Sequence, residues 1–188
     1  MGRRRTIPDD VALAAVLDLV RRVGPEGVTF AAAAVETGLS GATLVQRYGS
    51  RDGMVRAAIL LAWDALDART AELDGTAAPT PRGAVEMLVG LSHGYADADS
   101  FADGLLLLRE DLRDPVLRQR GAIWGAALER ALDRRLDPEG RRGFPLGRMM
   151  MAQWQGIVLW WGFEQVRPVE EEVARALSTW CIAAGLAA

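Results

Sequence analysis

Apolar residues in this chain recur at helical spacing throughout, and no alternating strand pattern of useful length interrupts them. Leu13, Val16, Leu17, Val20 and Val23 fall on one face of a helix that starts near Asp9. Gly24-Pro25-Glu26-Gly27 ends it, because neither glycine nor proline continues a helix well. Thr29 can cap a second helix that Gly38 ends, and Ser40 a third that runs to about Tyr48. Gly49 breaks the third, and Ser50 can cap a long fourth helix to about Leu73. The stretch 74–83, DGTAAPTPRG, reads as a linker. Further helices are expected at about 82–96, 101–112, 115–136, 145–166 and 169–186, with Asp114-Pro115 as a start signal. The expected architecture is all-α: a head of short helices over residues 1–55, then a larger helical body over residues 56–188.

Composition narrows the function classes. Half of the 188 residues are apolar and 25% are charged, enough to build a core and too apolar for a disordered chain. A single cysteine, Cys181, and a single histidine, His93, exclude a disulfide framework and a zinc site built from several such ligands. No cofactor is expected. The longest apolar runs, such as IVLWWGF at 157–163, are far too short to span a membrane, and MGRRRTIPDD leads into polar residues. A soluble cytoplasmic protein with no membrane partner is the expectation. All 22 basic residues are arginine and asparagine is absent, which suits a GC-rich genome. The net charge is −3, but it is uneven: residues 1–55 carry 7 Arg against 6 acids, and residues 56–188 carry 15 against 19. A slightly basic head on an acidic body permits DNA binding without demonstrating it.

The informative stretch is TFAAAAVETGLSGATLVQRYGSRDGM, from Thr29 to Met54. Ala34, Gly38, Leu39 and Leu44 stand in the order a helix-turn-helix needs. A small residue lets the second helix approach, glycine permits the positive φ of the turn, and the leucines cement the pair. The second helix would present Gly41, Ala42, Thr43, Gln46 and Arg47 outward. Small residues at its start allow close approach to a major groove, and Thr, Gln and Arg supply donors to phosphates and base edges.

Residues 40–54, SGATLVQRYGSRDGM, resemble the signature of TetR-type (tetracycline-repressor-like) regulators, Ser-x-Gly-Thr-Leu-Tyr-x-His-Phe-x-Ser-Lys-Glu-x-Leu. Gly24 and Thr29 also sit where that family has a glycine and a helix-2 threonine, and the likeness covers about residues 9–60. Val45 departs from the family's tyrosine and removes one phosphate-contacting hydroxyl. Ala33 replaces a core isoleucine and Thr37 an alanine, whereas Tyr48 for phenylalanine and Arg51 for lysine keep the chemistry. The resemblance implies that Thr29, Thr43 and Arg51 touch the phosphate backbone and that Gln46 and Arg47 read or flank bases. Ser40, Gly41 and Ala42 would complete the DNA-binding set. Tyr48 reads as core, Arg47 alternatively as a solvated helix end, and Arg3–Arg5 as either a tail or a DNA contact.

Gly90-Leu91-Ser92-His93-Gly94 matches a hydrolase nucleophile elbow, but that elbow needs a preceding strand and a distant histidine. Here the context is helical. His93 is expected in solvent, away from the apolar stripe of Ala84, Val85, Leu88, Leu91 and Tyr95. In the helix at 145–166, Trp154, Ile157, Val158 and Trp161 line one face, while Met149, Gln153, Gly156 and Trp160 line another. A helix apolar on two faces is buried on both, against its own core and against something else. The last helix repeats the pattern with Val173, Ala176, Leu177, Trp180, Cys181 and Ala184. The resemblance implies that these two helices form a homodimer's four-helix bundle. Phe101, Trp124, Met150 and Trp154 are candidates to line a small-molecule cavity, with Glu110 able to admit a cation; ordinary core packing is the competing account of each.

The combined expectation is a homodimeric transcriptional regulator, not an enzyme. It would repress by holding a palindromic double-stranded operator, and release it when a small apolar or amphipathic effector binds the body. The alternative is a small all-α enzyme or carrier whose N-terminal helices are only structural.

Overall fold

The computed structural model describes residues 7–94 and 97–186. The Arg3–Arg5 arm and Tyr95 lie outside the described residues. Among those residues there are nine helices and no strand: α1 (Asp9–Gly27), α2 (Phe30–Thr37), α3 (Gly41–Tyr48), α4 (Arg51–Thr76), α5 (Pro81–Ser92), α6 (Ala98–Arg113), α7 (Pro115–Leu136), α8 (Leu146–Glu164) and α9 (Val169–Ala183). None of them is long and apolar enough to cross a membrane.

The local signals act as expected at most ends. Gly24 leaves the helical region inside α1, at φ +72°, so the regular helix stops there and one further turn follows from Pro25. Thr29 Oγ1 accepts from Ala32 N, and Ser40 Oγ from Thr43 N, each at 3.1 Å. Gly38, at φ +67°, sends its N–H back to Ala34 O, closing α2 in the left-handed conformation that glycine tolerates best. Ser50 Oγ accepts from Gly53 N at 3.0 Å at the start of α4. The linker expected at 74–83 is shorter than its composition suggests: α4 continues to Thr76, and Thr80 already caps α5 by accepting from Gly83 N.

Contacts divide the chain into two compact units. The first comprises the described residues up to Ala65 with Asp103–Gly121, and the second comprises the remaining described residues. The helices α4, α6 and α7 contribute residues to both. In the first unit, Val16, Leu17, Leu19 and Val20 of α1 pack with Val28, Ala33, Leu44, Met54, Ala58, Ile59 and Leu117. This unit reaches beyond residues 1–55 because Ala58, Ile59 and Leu117 belong to the same core.

In the second unit α5 and α8 both pack on α9. Its buried residues include Met87, Leu88, Leu128, Leu132, Met150, Trp154, Val158, Trp161, Val173, Leu177 and Cys181. Buried indoles find acceptors, as their N–H groups require. Trp124 donates to Thr70 Oγ1 at 3.0 Å, Trp154 to Ser92 Oγ at 2.9 Å, and Trp161 to the Arg167 carbonyl at 2.8 Å. Ser92 is thus a buried helical residue that also donates to Leu88 O, while His93 next to it is exposed. The nucleophile-elbow match is incidental.

Candidate nucleic-acid interface

The α2–turn–α3 unit positions the residues expected to meet DNA. Leu44 is wholly buried and Leu39 packs against the same core, which fixes α3 by its inner face. The opposite face carries Ala42, Val45 and Gln46, all exposed. Thr29 and Ser40 stand at the helix entrances as caps, and a Cβ added to Gly41 would meet nothing within 4 Å. The hydroxyls of Ser40 and Thr43 lie 2.8 Å apart, so each orients the other.

Both arginines of the set are engaged within the first unit. Arg47 Nη1 donates to Asp9 Oδ1 at 2.9 Å, and the Tyr48 hydroxyl donates to the same oxygen at 3.2 Å. Tyr48 is half-buried against the core, and its pKa is raised by that burial and then by the charge of Asp9. Arg51 turns back on α1: Nε donates to Val28 O at 2.9 Å, Nη2 to Pro25 O, and Nη1 to Asp52 at 2.7 Å. A guanidinium carries five N–H groups, so Arg51 ties down the end of α1 with some donors left for solvent. The sequence gives no signal for Asp9 as the partner of Arg47, because the two are 38 positions apart.

Beside Arg51 the first unit has a cleft of about 390 Å³, lined by Glu26, Arg51, Arg56, Glu110, Arg113 and Asp114 among others. Its charges are mutually paired. Arg56 Nε donates to Asp114 Oδ2 at 2.6 Å, and Arg109 bridges Glu26 and Glu110 at 3.2 and 2.9 Å. Burial alone would raise the Asp114 pKa, but the Arg56 bond and two backbone N–H groups hold it below the usual aspartate value. Glu110 therefore belongs to the first unit, whereas Phe101, Trp124, Met150 and Trp154 belong to the second.

Of those four, Trp124, Met150 and Trp154 are buried and Phe101 is half-buried. Phe101 meets Trp161 edge-on, with centroids 6.4 Å apart and planes at 84°. Trp161 in turn lines a cavity of about 410 Å³ with His93, Gln165, Arg167, Val169 and Glu170. Among the candidate cavity residues the sequence missed Trp161, since its spacing with Trp154 and Val158 reads only as core.

No family model matches the chain, and no curated protein matches it in sequence. Solved structures do. A protein from Rhodococcus sp. assigned as a TetR-family transcriptional regulator matches with a TM-score of 0.66 at 21% identity, over 92% of this chain and 96% of its own. A transcriptional-regulator assignment from Saccharomonospora viridis, solved with choline, matches at 0.69 and 19% identity over 91% and 93%. The fold is that of the TetR-type regulators. The multidrug-binding protein EbrR, solved with malachite green, matches at 0.67 and 20% identity over 92% and 98%. The likeness extends over nine-tenths or more of each of these three chains and of this one.

Proposed function

We propose that the chain is a ligand-responsive, DNA-binding transcriptional regulator that acts as a homodimeric repressor in the cytoplasm. The observation that carries this reading is the α2–turn–α3 unit, closed by Gly38 in the left-handed conformation and presenting an exposed face of α3. Residues 1–55 carry DNA binding and residues 56–188 carry effector binding and dimerisation. Thr29, Ser40, Thr43 and Arg51 contact phosphates, Gln46 and Arg47 reach base edges or their flanks, and Gly41 and Ala42 let α3 come close. The direct test is a mobility shift on the DNA flanking the gene, together with selection from a random duplex library. Failure to enrich any sequence would remove the reading.

The dimer reading rests on α8. Met149, Gln153 and Trp160 of one face stand in solvent, with Phe163 beside them. Trp160 is 65% exposed and Phe163 77%, with ring centroids 5.8 Å apart, and Ile182 of α9 is exposed as well. Apolar surface of this kind marks an interaction site, and a palindrome read by two recognition helices about 34–36 Å apart requires a second copy. Trp160→Glu with Phe163→Glu should give a monomer in sedimentation, with weakened operator binding. A dimer that survives both substitutions would place the interface elsewhere.

The effector reading rests on the cavity beside Trp161. Structures of this fold hold choline in one case and malachite green in another, and we assign the same kind of occupant, a small apolar or amphipathic molecule, to this chain. Phe101 supports the wall through its edge contact with Trp161, whereas Trp124, Met150 and Trp154, the other candidate effector contacts, are not among the residues that line this cavity, and neither is Glu110. The helix α4, Arg51–Thr76, contributes residues to both units, and it is the element through which occupancy would alter DNA binding.

A further inference from the structure

The face that α3 offers to DNA is apolar over most of its width. Ala42, Val45 and Gln46 lie at i, i+3 and i+4 and are exposed together, while Leu44 between them is buried. Val45 is 45% exposed. The head does not need it for packing, since Leu39, Leu44 and Tyr48 supply the contacts of this segment with the core. The polar neighbours are partly engaged, Thr43 with Ser40 and Arg47 with Asp9. Gln46 makes no side-chain hydrogen bond to a described residue.

The major groove contains one apolar group, the C5-methyl of thymine. Valine set against the edge of guanine, cytosine or adenine would strip water from donors and acceptors and return no hydrogen bond, which is unfavourable. Set against thymine it buries methyl on methyl. We propose that Val45 is a specificity residue that selects thymine at one fixed position of each operator half-site, beside the base that Gln46 hydrogen-bonds. This rests on the DNA-binding reading above. Ala42, one turn earlier on the same face, brings α3 close enough for that contact.

The test separates the two claims. Full-length protein selects duplexes from a random library, and each thymine of the recovered half-site is then replaced by deoxyuracil. That exchange removes the methyl group and keeps the pairing. One position per half-site should lose about fourfold in affinity, the effect of one buried methyl group. Val45→Ala should bind the thymine and uracil forms of that position equally; alanine at an exposed helical site raises helix propensity, so the head should stay folded. If a sequence is enriched but every uracil form binds like its parent, the thymine inference is overturned and DNA binding stands. Unchanged uracil sensitivity in Val45→Ala also overturns it. If no sequence is enriched, both fall.

Discussion

Arg47 in the last turn of α3 donates its guanidinium N–H to Asp9 at the entrance of α1, across 2.9 Å, and the Tyr48 hydroxyl shares the same carboxylate oxygen at 3.2 Å. The contact ties the last turn of α3 to the first turn of α1. Asp9 is largely exposed, and an ion pair so open to solvent contributes less than about 1 kcal/mol to folding. Under the proposed DNA-binding role its larger consequence falls there, because the carboxylate holds the cation that would otherwise reach a base edge or the phosphate that flanks it.

Asp9→Asn should therefore tighten binding to the selected duplex and leave the melting temperature nearly unchanged. Releasing one arginine to a phosphate steepens the dependence of log K on log salt by about 0.9. Fluorescence anisotropy across a salt series measures that slope, and Arg47→Ala added to Asp9→Asn should cancel the gain. An unchanged slope would mean that Arg47 does not reach the phosphates.

Thr43 and Arg51 should fail in different ways. Thr43→Ala removes a hydroxyl while Ser40 Oγ still accepts from the backbone N–H of residue 43, so α3 keeps its cap. We expect weaker DNA binding, by on the order of 1–3 kcal/mol, and an intact fold. Arg51→Ala also strips the Val28 and Pro25 carbonyls of their donor. That variant should lose DNA affinity and lower the stability of the head, read as a shifted urea midpoint. Operator binding unchanged in both variants would remove these residues from the interface.

Local chemistry made the head legible from its sequence. Caps at Thr29 and Ser40, the breaks at Gly24 and Gly38, and the buried Leu44 each follow from residue type and spacing within a few positions. The engagements of Arg47 and Arg51 were not legible, because Asp9, Pro25 and Val28 come from other turns of the chain. The linker was misjudged for a similar reason. Its Gly, Pro and Thr content signals a loop, but Arg135, nearly sixty positions away, organises it: Nε donates to Ala78 O and Nη2 to the carbonyls of Asp74 and Ala77. In the body, helical spacing put Trp154 and Trp160 on different faces of α8, of which Trp154 is buried and Trp160 exposed, but could not show that Glu110 belongs with the first unit.

Arg135 also yields a stability prediction. Its side chain is nearly buried, and Nη1 donates to the Asp74 carboxylate at 2.6 Å. Arg135→Met removes the donor to the Asp74 and Ala77 carbonyls and one of the two arginines on the Asp74 carboxylate, which keeps Arg134 at 2.6 Å, and should cost about 1–3 kcal/mol. Burial alone would raise the Asp74 pKa, but the Arg135 bond and the charges of Arg134 and Arg135 hold it below the ordinary 3.8. A carboxylate depressed on folding stabilises above its unfolded pKa and loses that contribution as pH falls through the folded one. Acid titration of stability should accordingly show a loss below about pH 3.8 that Asp74→Asn lacks. An identical acid limb in the variant would show that the pair contributes nothing there.

The effector switch can be tested through Trp161. This indole forms part of the 410 Å³ cavity wall, meets Phe101 edge-on and donates to the Arg167 carbonyl. A small organic cation can lie against such rings; on the same wall Glu170 favours positive charge, while the charge of Arg167 is paired with Glu172 at 2.7 Å. Choline and larger aromatic cations are therefore the first probes. Titration is followed in two channels, indole emission and release of the selected duplex. Trp161→Phe identifies which of the six tryptophans responds. A hundredfold loss of DNA affinity requires the compound to prefer the DNA-incompetent state by about 2.7 kcal/mol. We expect at least one amphipathic cation to change Trp161 emission and release the duplex at the same concentration. A compound that saturates the emission change and leaves DNA affinity untouched is a passive occupant. If every binder behaves that way, the cavity beside Trp161 is not the switch.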